Sequence, residues 1–153
     1  MSLGSNIQPA VYLPRALAQL SRAARVVKTS ACWETSPFDG SGPNFINLAV
    51  CLSTHLDISA LKSGLIASIE NELGRVRTAD KNAPRTIDLD IIVFDGRVIN
   101  PALWERAYLA LTISEFLPDL QETSSGRSLH SIASELSALQ PAILRPGFLS
   151  PTS

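Results

Sequence analysis

The stretch "GRVRTADKNAPRTIDLDIIVF" (Gly74–Phe94) changes character at its middle. Its first half is basic and turn-like, carrying Arg75, Arg77, Lys81 and Arg85. Its second half, Thr86–Phe94, has the aliphatic, β-branched composition of a buried strand, yet it holds Asp88 and Asp90. Strand side chains alternate faces, which predicts Thr86, Asp88, Asp90 and Ile92 on one face and Ile87, Leu89, Ile91 and Val93 on the other. The aspartate Cα atoms then lie roughly 6.6 Å apart, close enough for the carboxylates to converge. Four readings fit this spacing: a solvated strand face, ion pairs to Arg75, Arg77 or Arg85, an acid/base dyad, or a Mg²⁺ site. The cationic loop adds weight to the last. Guanidinium forks recognise phosphate, and a metal-held polyphosphate needs charge of both signs around it.

Working outward, the apolar spacing of Tyr12, Leu13, Ala16, Leu17 and Leu20 predicts a helix over Gln8–Ala24. "RVVKTSACWET" (Arg25–Thr35) and "FINLAVCLST" (Phe45–Thr54) read as strands, joined by the Gly/Pro/Ser loop "SPFDGSGPN" (Ser36–Asn44). Asp57 is placed to cap a helix whose buried side holds Ile58, Leu61, Leu65, Ile69 and Leu73, with Gly74 as its stop. "DGR" (Asp95–Arg97) is a turn, with "VIN" (Val98–Asn100) as a short edge strand. "TISEFLPDL" (Thr112–Leu120) and "SLHSIASELSAL" (Ser128–Leu139) read as helical. With the short strand "MSL" at the front, the order is β-α-β-β-α-β. This predicts an α+β fold with a ferredoxin-like core, an antiparallel sheet packed by helices, and a short C-terminal extension. The expected layout is one domain over residues 1–140 and an irregular tail over 141–153.

Composition narrows the function. With 153 residues and a net charge of −1, the chain carries no bulk field for nucleic acid or anionic lipid, so neither is an expected partner. An RNA-reading sheet would display aromatics on its central strands, and only Phe45 and Phe94 lie there. Cys32 and Cys51 are not spaced as a zinc site and read as reduced core thiols. The opening "MSLGSN" does not read as a leader, and no apolar run reaches membrane-spanning length, so a cytoplasmic location is expected. No GxxxxGK[ST] loop is present.

"KNAPRTIDLDII" (Lys81–Ile92) resembles the signature of the 6-hydroxymethyl-7,8-dihydropterin pyrophosphokinase family of folate synthesis. "LGSN" (Leu3–Asn6), "WETSP" (Trp33–Pro37), "NFINLAV" (Asn44–Val50) and "IENELGRVR" (Ile69–Arg77) follow in that family's order. The resemblance runs from Leu3 to Leu120. It implies transfer of the β,γ-pyrophosphoryl unit of ATP to the pterin's hydroxymethyl oxygen, releasing AMP. It implies Asp88 and Asp90 as ligands of two Mg²⁺ ions, and Arg75 and Arg85 as catalytic phosphate clamps. Arg77, Ile91 and Arg106 join Arg75 and Arg85 as nucleotide contacts. Thr35, Pro37, Phe38, Phe45, Asn47 and Tyr108 form the pterin slot. Glu70 matches an acidic position that serves either as a helix-end ion pair or as a brace of the site.

The chain also departs from the pattern. The segment after Asn100 is shorter than in the family and lacks its Pro-His pair; the two histidines, His55 and His130, lie elsewhere. Asn82 stands where many members carry an aromatic. A divergent homologue that binds pterin or nucleotide with little turnover therefore stays open as an alternative. The expected partners are ATP and the hydroxymethyl pterin, acting on a monomer, with contact to neighbouring folate-pathway enzymes left open.

Overall fold

The computed structural model describes residues 1–150. β1 (Ser2–Ser5) runs through the middle of the sheet, longer than "MSL" predicted and buried at all four positions. β4 (Phe45–Ser53) lies on one side of it and β5 (Asp88–Asp90) on the other, both antiparallel. β2 (Arg25–Thr29) and β3 (Trp33–Thr35) both pair with β4, and β8 (Ala142–Leu144) adds to β3. The order is β5-β1-β4-β3-β8, with β2 also on β4. That arrangement is the ferredoxin-like core expected from the element order.

Where one strand was expected over Arg25–Thr35, there are two. The register shifts between Val26 and Lys28, and the chain bends at Ser30, whose hydroxyl accepts from the Ala49 N–H at 2.8 Å. The tail is a second correction. Ala142–Leu144 form β8 rather than irregular chain, and Phe148 and Leu149 pack against the core. Of the 141–153 expectation, residues 151–153 lie outside the described residues.

α1 (Pro9–Ala23) starts on proline, where the missing N–H removes a donor that has no partner in any helix. Its Leu13, Ala16 and Leu20 pack on the sheet face formed by Leu3, Ile46, Leu48 and Val50. The next helix begins as α2 (Ile58–Ala60), with Asp57 Oδ1 accepting from the Ala60 N–H at 2.8 Å. It passes through a π-helical segment (Leu61–Ile66) and ends as α3 (Ala67–Glu72). The π turn inserts one residue, so the buried stripe shifts from the expected Leu65 to Ile66. Ile69, Glu70 and Leu73 then face inward together. Gly74 follows at φ +75°, a left-handed stop that favours glycine.

The opposite face of the sheet is covered by α4 (Ala107–Ser114) and α5 (Leu129–Leu139). Ala49, Ile92, Leu109, Ala110, Ile113, Leu129 and Ala133 form this second core. Each fully buried leucine or isoleucine contributes about 2 kcal/mol. α4 begins earlier than predicted and ends before Phe116, so most of "TISEFLPDL" is turn. β5 is also shorter than the expected Thr86–Phe94. Ile87, Leu89 and Ile91 pack in the first core and Ile92 in the second, on the α4 side where the aspartates lie, so alternation holds through Ile92; Val93, expected with Ile91, packs against the second core instead. Beyond it, β6 (Val93–Phe94) and β7 (Arg97–Val98) form a hairpin. Asp95 at φ 48° and Gly96 at φ 75° make the turn read from "DGR".

Candidate active site

A cleft of about 470 Å³ opens over the sheet beside α4. Its floor follows from strand register. Gly4 pairs with Asn47 on β4 and with Asp88 on β5, while Ser2 pairs with Asp90. Asp88, Gly4 and Asn47 therefore form one row across three strands, spanning about 9.5 Å at ordinary strand spacing. Gly4 keeps the row open: a Cβ there would stand 3.0 Å from Asn47 Oδ1.

One end of the cleft is charged. Asp88, Asp90, Lys81 and Arg85 line it. Arg85 Nη1 donates to Asp88 Oδ2 at 3.0 Å, and Arg75 Nη1 donates to Asp88 Oδ1 at 2.5 Å. Asp90 accepts from Asn100 Nδ2 at 3.3 Å. Asp90 is open to water but set within concave walls. That burial, then the Asp88 charge, pushes its carboxyl above the usual carboxylate range, against the pull of Lys62 and Asn100.

The other end is aromatic and neutral. Thr35, Pro37, Phe38, Phe45, Asn47 and Tyr108 all line it. Asn47 is 4 % exposed and donates through Nδ2 to Thr35 Oγ1 at 2.9 Å and to the Trp33 carbonyl at 3.4 Å. The Arg106 guanidinium lies 3.7 Å from the Phe38 ring centroid, a cation–π stack across the mouth. Arg85 lies 5.9 Å from the Phe45 ring, so the two ends of the cleft touch through one side chain. Burial, then Asp88, raises the Tyr108 phenol, which stays a neutral donor.

Three expected site residues lie outside this cleft. Arg75 and Arg77 line a neighbouring hollow of about 370 Å³ with Lys81 and Arg85. Ile91 is 3 % exposed and packs in the first core. Glu70 is the brace beneath the arginines. Its side chain accepts from Arg75 at 2.5 Å, Arg77 at 2.9 Å and the Leu89 N–H at 3.1 Å. Asn6 does similar work on the other side of the loop. Its Oδ1 accepts from the Arg85 N–H at 2.8 Å and its Nδ2 donates to the Pro43 carbonyl at 3.2 Å. That gives "LGSN" a physical role in fixing Arg85. Ser2, Gly4, Lys81, Asn82, Gln140 and Pro141 also line the cleft without having been singled out as site residues.

The donor chemistry suits magnesium. Asp88 and Asp90 offer hard oxygens from one strand, and among the described residues no cluster of three or more His, Cys, Asp or Glu side chains encloses an ion. Magnesium keeps water and phosphate oxygens in its shell, so two carboxylates with open space match its habit better than a closed cage.

A ferredoxin-like α+β core carries paired strand carboxylates beside a guanidinium loop, an arrangement suited to a transferase of phosphorylated groups. The chain belongs to the 7,8-dihydro-6-hydroxymethylpterin-pyrophosphokinase (HPPK) family, whose model matches residues 1–118. It is 34% identical over 137 residues to the 2-amino-4-hydroxy-6-hydroxymethyldihydropteridine pyrophosphokinase of Bacillus subtilis, covering 82% of this chain and 81% of that one. It is 28% identical over 158 residues to the protein of the same name from Synechocystis, covering 96% and 80%. It is also 32% identical over 129 residues to the folic acid synthesis protein FOL1 of Dictyostelium discoideum, where the match spans 78% of this chain but 19% of the longer protein. Among the described residues, no helix is long and apolar enough to cross a membrane.

Proposed function

We propose that this cleft transfers pyrophosphate from ATP to 6-hydroxymethyl-7,8-dihydropterin. The observation that carries the reading is the single row Asp88–Gly4–Asn47, which puts a polyphosphate end and a flat-ring end on one floor. The pterin takes the neutral end, between Phe45 and Tyr108. Asn47 spends its N–H donors on Thr35 and Trp33, leaving Oδ1 to accept from a pterin N–H.

The triphosphate takes the charged end. Asp88 and Asp90 would hold two Mg²⁺ ions there, which would supply Lewis-acid neutralisation of the triphosphate. Arg75 and Arg85 leave Asp88 to meet phosphate oxygens, and Arg77 and Lys81 extend the cationic wall. Arg106, stacked on Phe38 at the mouth, adds a further cation facing the cleft. The hydroxymethyl oxygen attacks the β-phosphorus, the bridge from that phosphorus to the α-phosphate breaks, and AMP leaves. The hydroxyl proton passes to solvent. Positioning and charge carry the rate in such chemistry.

The test is AMP release from purified protein with ATP, Mg²⁺ and the hydroxymethyl pterin. Pterin-dependent AMP is the expected result. AMP no higher than in the pterin-free control would overturn the reading and leave a binding-only homologue.

A further inference from the structure

Residue 140 lies beyond the part of the chain that the family model matches, which ends at 118. It nevertheless lines the cleft, together with Pro141. Gln140 follows the last turn of α5, where its own N–H bonds the Leu136 carbonyl at 2.7 Å. Its side chain reaches across to the segment before α4. Nε2 donates to the Glu105 carbonyl at 2.7 Å, and Oε1 accepts from the Ala107 N–H at 2.9 Å. This pair imitates one rung of a β ladder, and it needs a donor and an acceptor side by side on one planar group, as an amide side chain supplies.

The segment it grips has no other cap. Arg106 is the N-cap residue of α4 and makes no side-chain capping bond, and Ala107 is 1 % exposed, so its N–H has no water to turn to. Between the two gripped peptide groups stands Arg106, stacked on Phe38, and one residue further stands Tyr108. On the other side of Gln140, Pro141 leads into β8, whose Ala142 pairs with Thr35. One amide thus links the α4 wall of the cleft to the Thr35–Phe38 wall.

We propose that Gln140 is a positioning residue that sets the width of the ligand slot by holding Arg106 and Tyr108 opposite Thr35 and Phe38. It acts through the backbone of Glu105 and Ala107 rather than on the ligands. The inference rests on the pyrophosphokinase reading of the cleft. It adds that the C-terminal tail is part of the binding site.

The experiment is calorimetric titration of hydroxymethyldihydropterin into protein holding Mg²⁺ and an ATP analogue whose α,β bridge is methylene, alongside steady-state kinetics. Wild-type binding tests the functional reading first; absence of binding by wild type sinks that reading whatever Gln140 does. With binding established, Gln140→Ala is expected to raise the pterin Kd and KM about tenfold, with kcat changed by less than about threefold. Gln140→Glu keeps the length and the acceptor but loses the donor, and should fall between the two; it decides the matter if the alanine variant does not fold. Arg145→Ala removes the exposed ion pair to Glu34 that also fastens β8, and should leave Kd within about twofold. Wild-type affinity in both Gln140 variants, or an equal loss in Arg145→Ala, overturns the proposal.

Discussion

Asp88 and Asn47 stand in one row across the sheet with only Gly4 between them. Backbone hydrogen bonds, not loops, thereby fix the two side chains relative to each other. In the proposed function, the gap over Gly4 is where the pterin's hydroxymethyl arm would meet the triphosphate.

Gly4→Ala tests that gap. The added Cβ would lie 3.0 Å from Asn47 Oδ1, tighter than ordinary contact, so Asn47 must shift by a few tenths of an ångström or lose its aim. The expected result is a pterin Kd raised about tenfold with nucleotide affinity changed by less than about twofold, read by calorimetry. Equal losses for both ligands would mean that the substitution distorts β1 as a whole.

Arg85→Ala separates transition-state stabilisation from binding. Arg85 reaches Asp88, the Lys81 carbonyl and the face of Phe45, so it spans the charged and aromatic ends of the cleft. Loss of a preorganised cationic donor at the reacting phosphate costs on the order of 10² to 10³ in kcat. Steady-state kinetics should show that fall with pterin affinity changed far less. A pure rise in pterin KM would assign Arg85 to binding alone.

Glu70→Gln tests the brace under the arginine loop. The Glu70 side chain is 5% exposed and answers two guanidinium groups and the Leu89 amide. Removing the charge from this buried network is expected to cost about 3 kcal/mol in urea-induced unfolding, because Arg75 is left with Asp88 alone. A cost under about 1 kcal/mol would show that water takes the place of the lost charge. Turnover should fall as well, since Arg75 is no longer held at the edge of the site.

The same residues show what a sequence can disclose. Asp88 and Asp90 were legible because alternation over three strand residues survives any packing, and the Asp95–Gly96 turn because its backbone demands left-handed φ. The aromatic slot was legible only through the family resemblance, which named Thr35, Pro37, Phe38, Phe45, Asn47 and Tyr108; of these Asn47 alone stood out by itself, as a polar residue in an apolar strand. Glu70 was only half legible. Its burial depends on the π turn at Leu61–Ile66, which breaks the period by which a helix face is read. The split of the Arg25–Thr35 strand accompanies a register shift between Val26 and Lys28, which depends on the β4 partner and leaves no local mark in the sequence. Gln140 carried no local signal at all, because its partners are 33 and 35 residues away and are backbone groups.

Asp90→Asn sets stability against function at the paired carboxylates. Without metal, burial and then the Asp88 charge hold the Asp90 carboxyl above its usual range. An asparagine keeps an oxygen for the Asn100 amide while removing one of the two like charges. The variant is therefore expected to melt slightly higher than wild type in chelator, measured by scanning calorimetry, the gain being small because water screens the exposed Asp90. Magnesium with the methylene ATP analogue should raise the wild-type melting temperature more than either alone, and this synergy should vanish in the variant. Turnover should drop by roughly 10³, the loss of several kcal/mol of charge stabilisation at the reacting phosphate. Near-normal turnover would remove Asp90 from the metal site. A lower melting temperature in chelator would show that the Asn100 contact outweighs the repulsion.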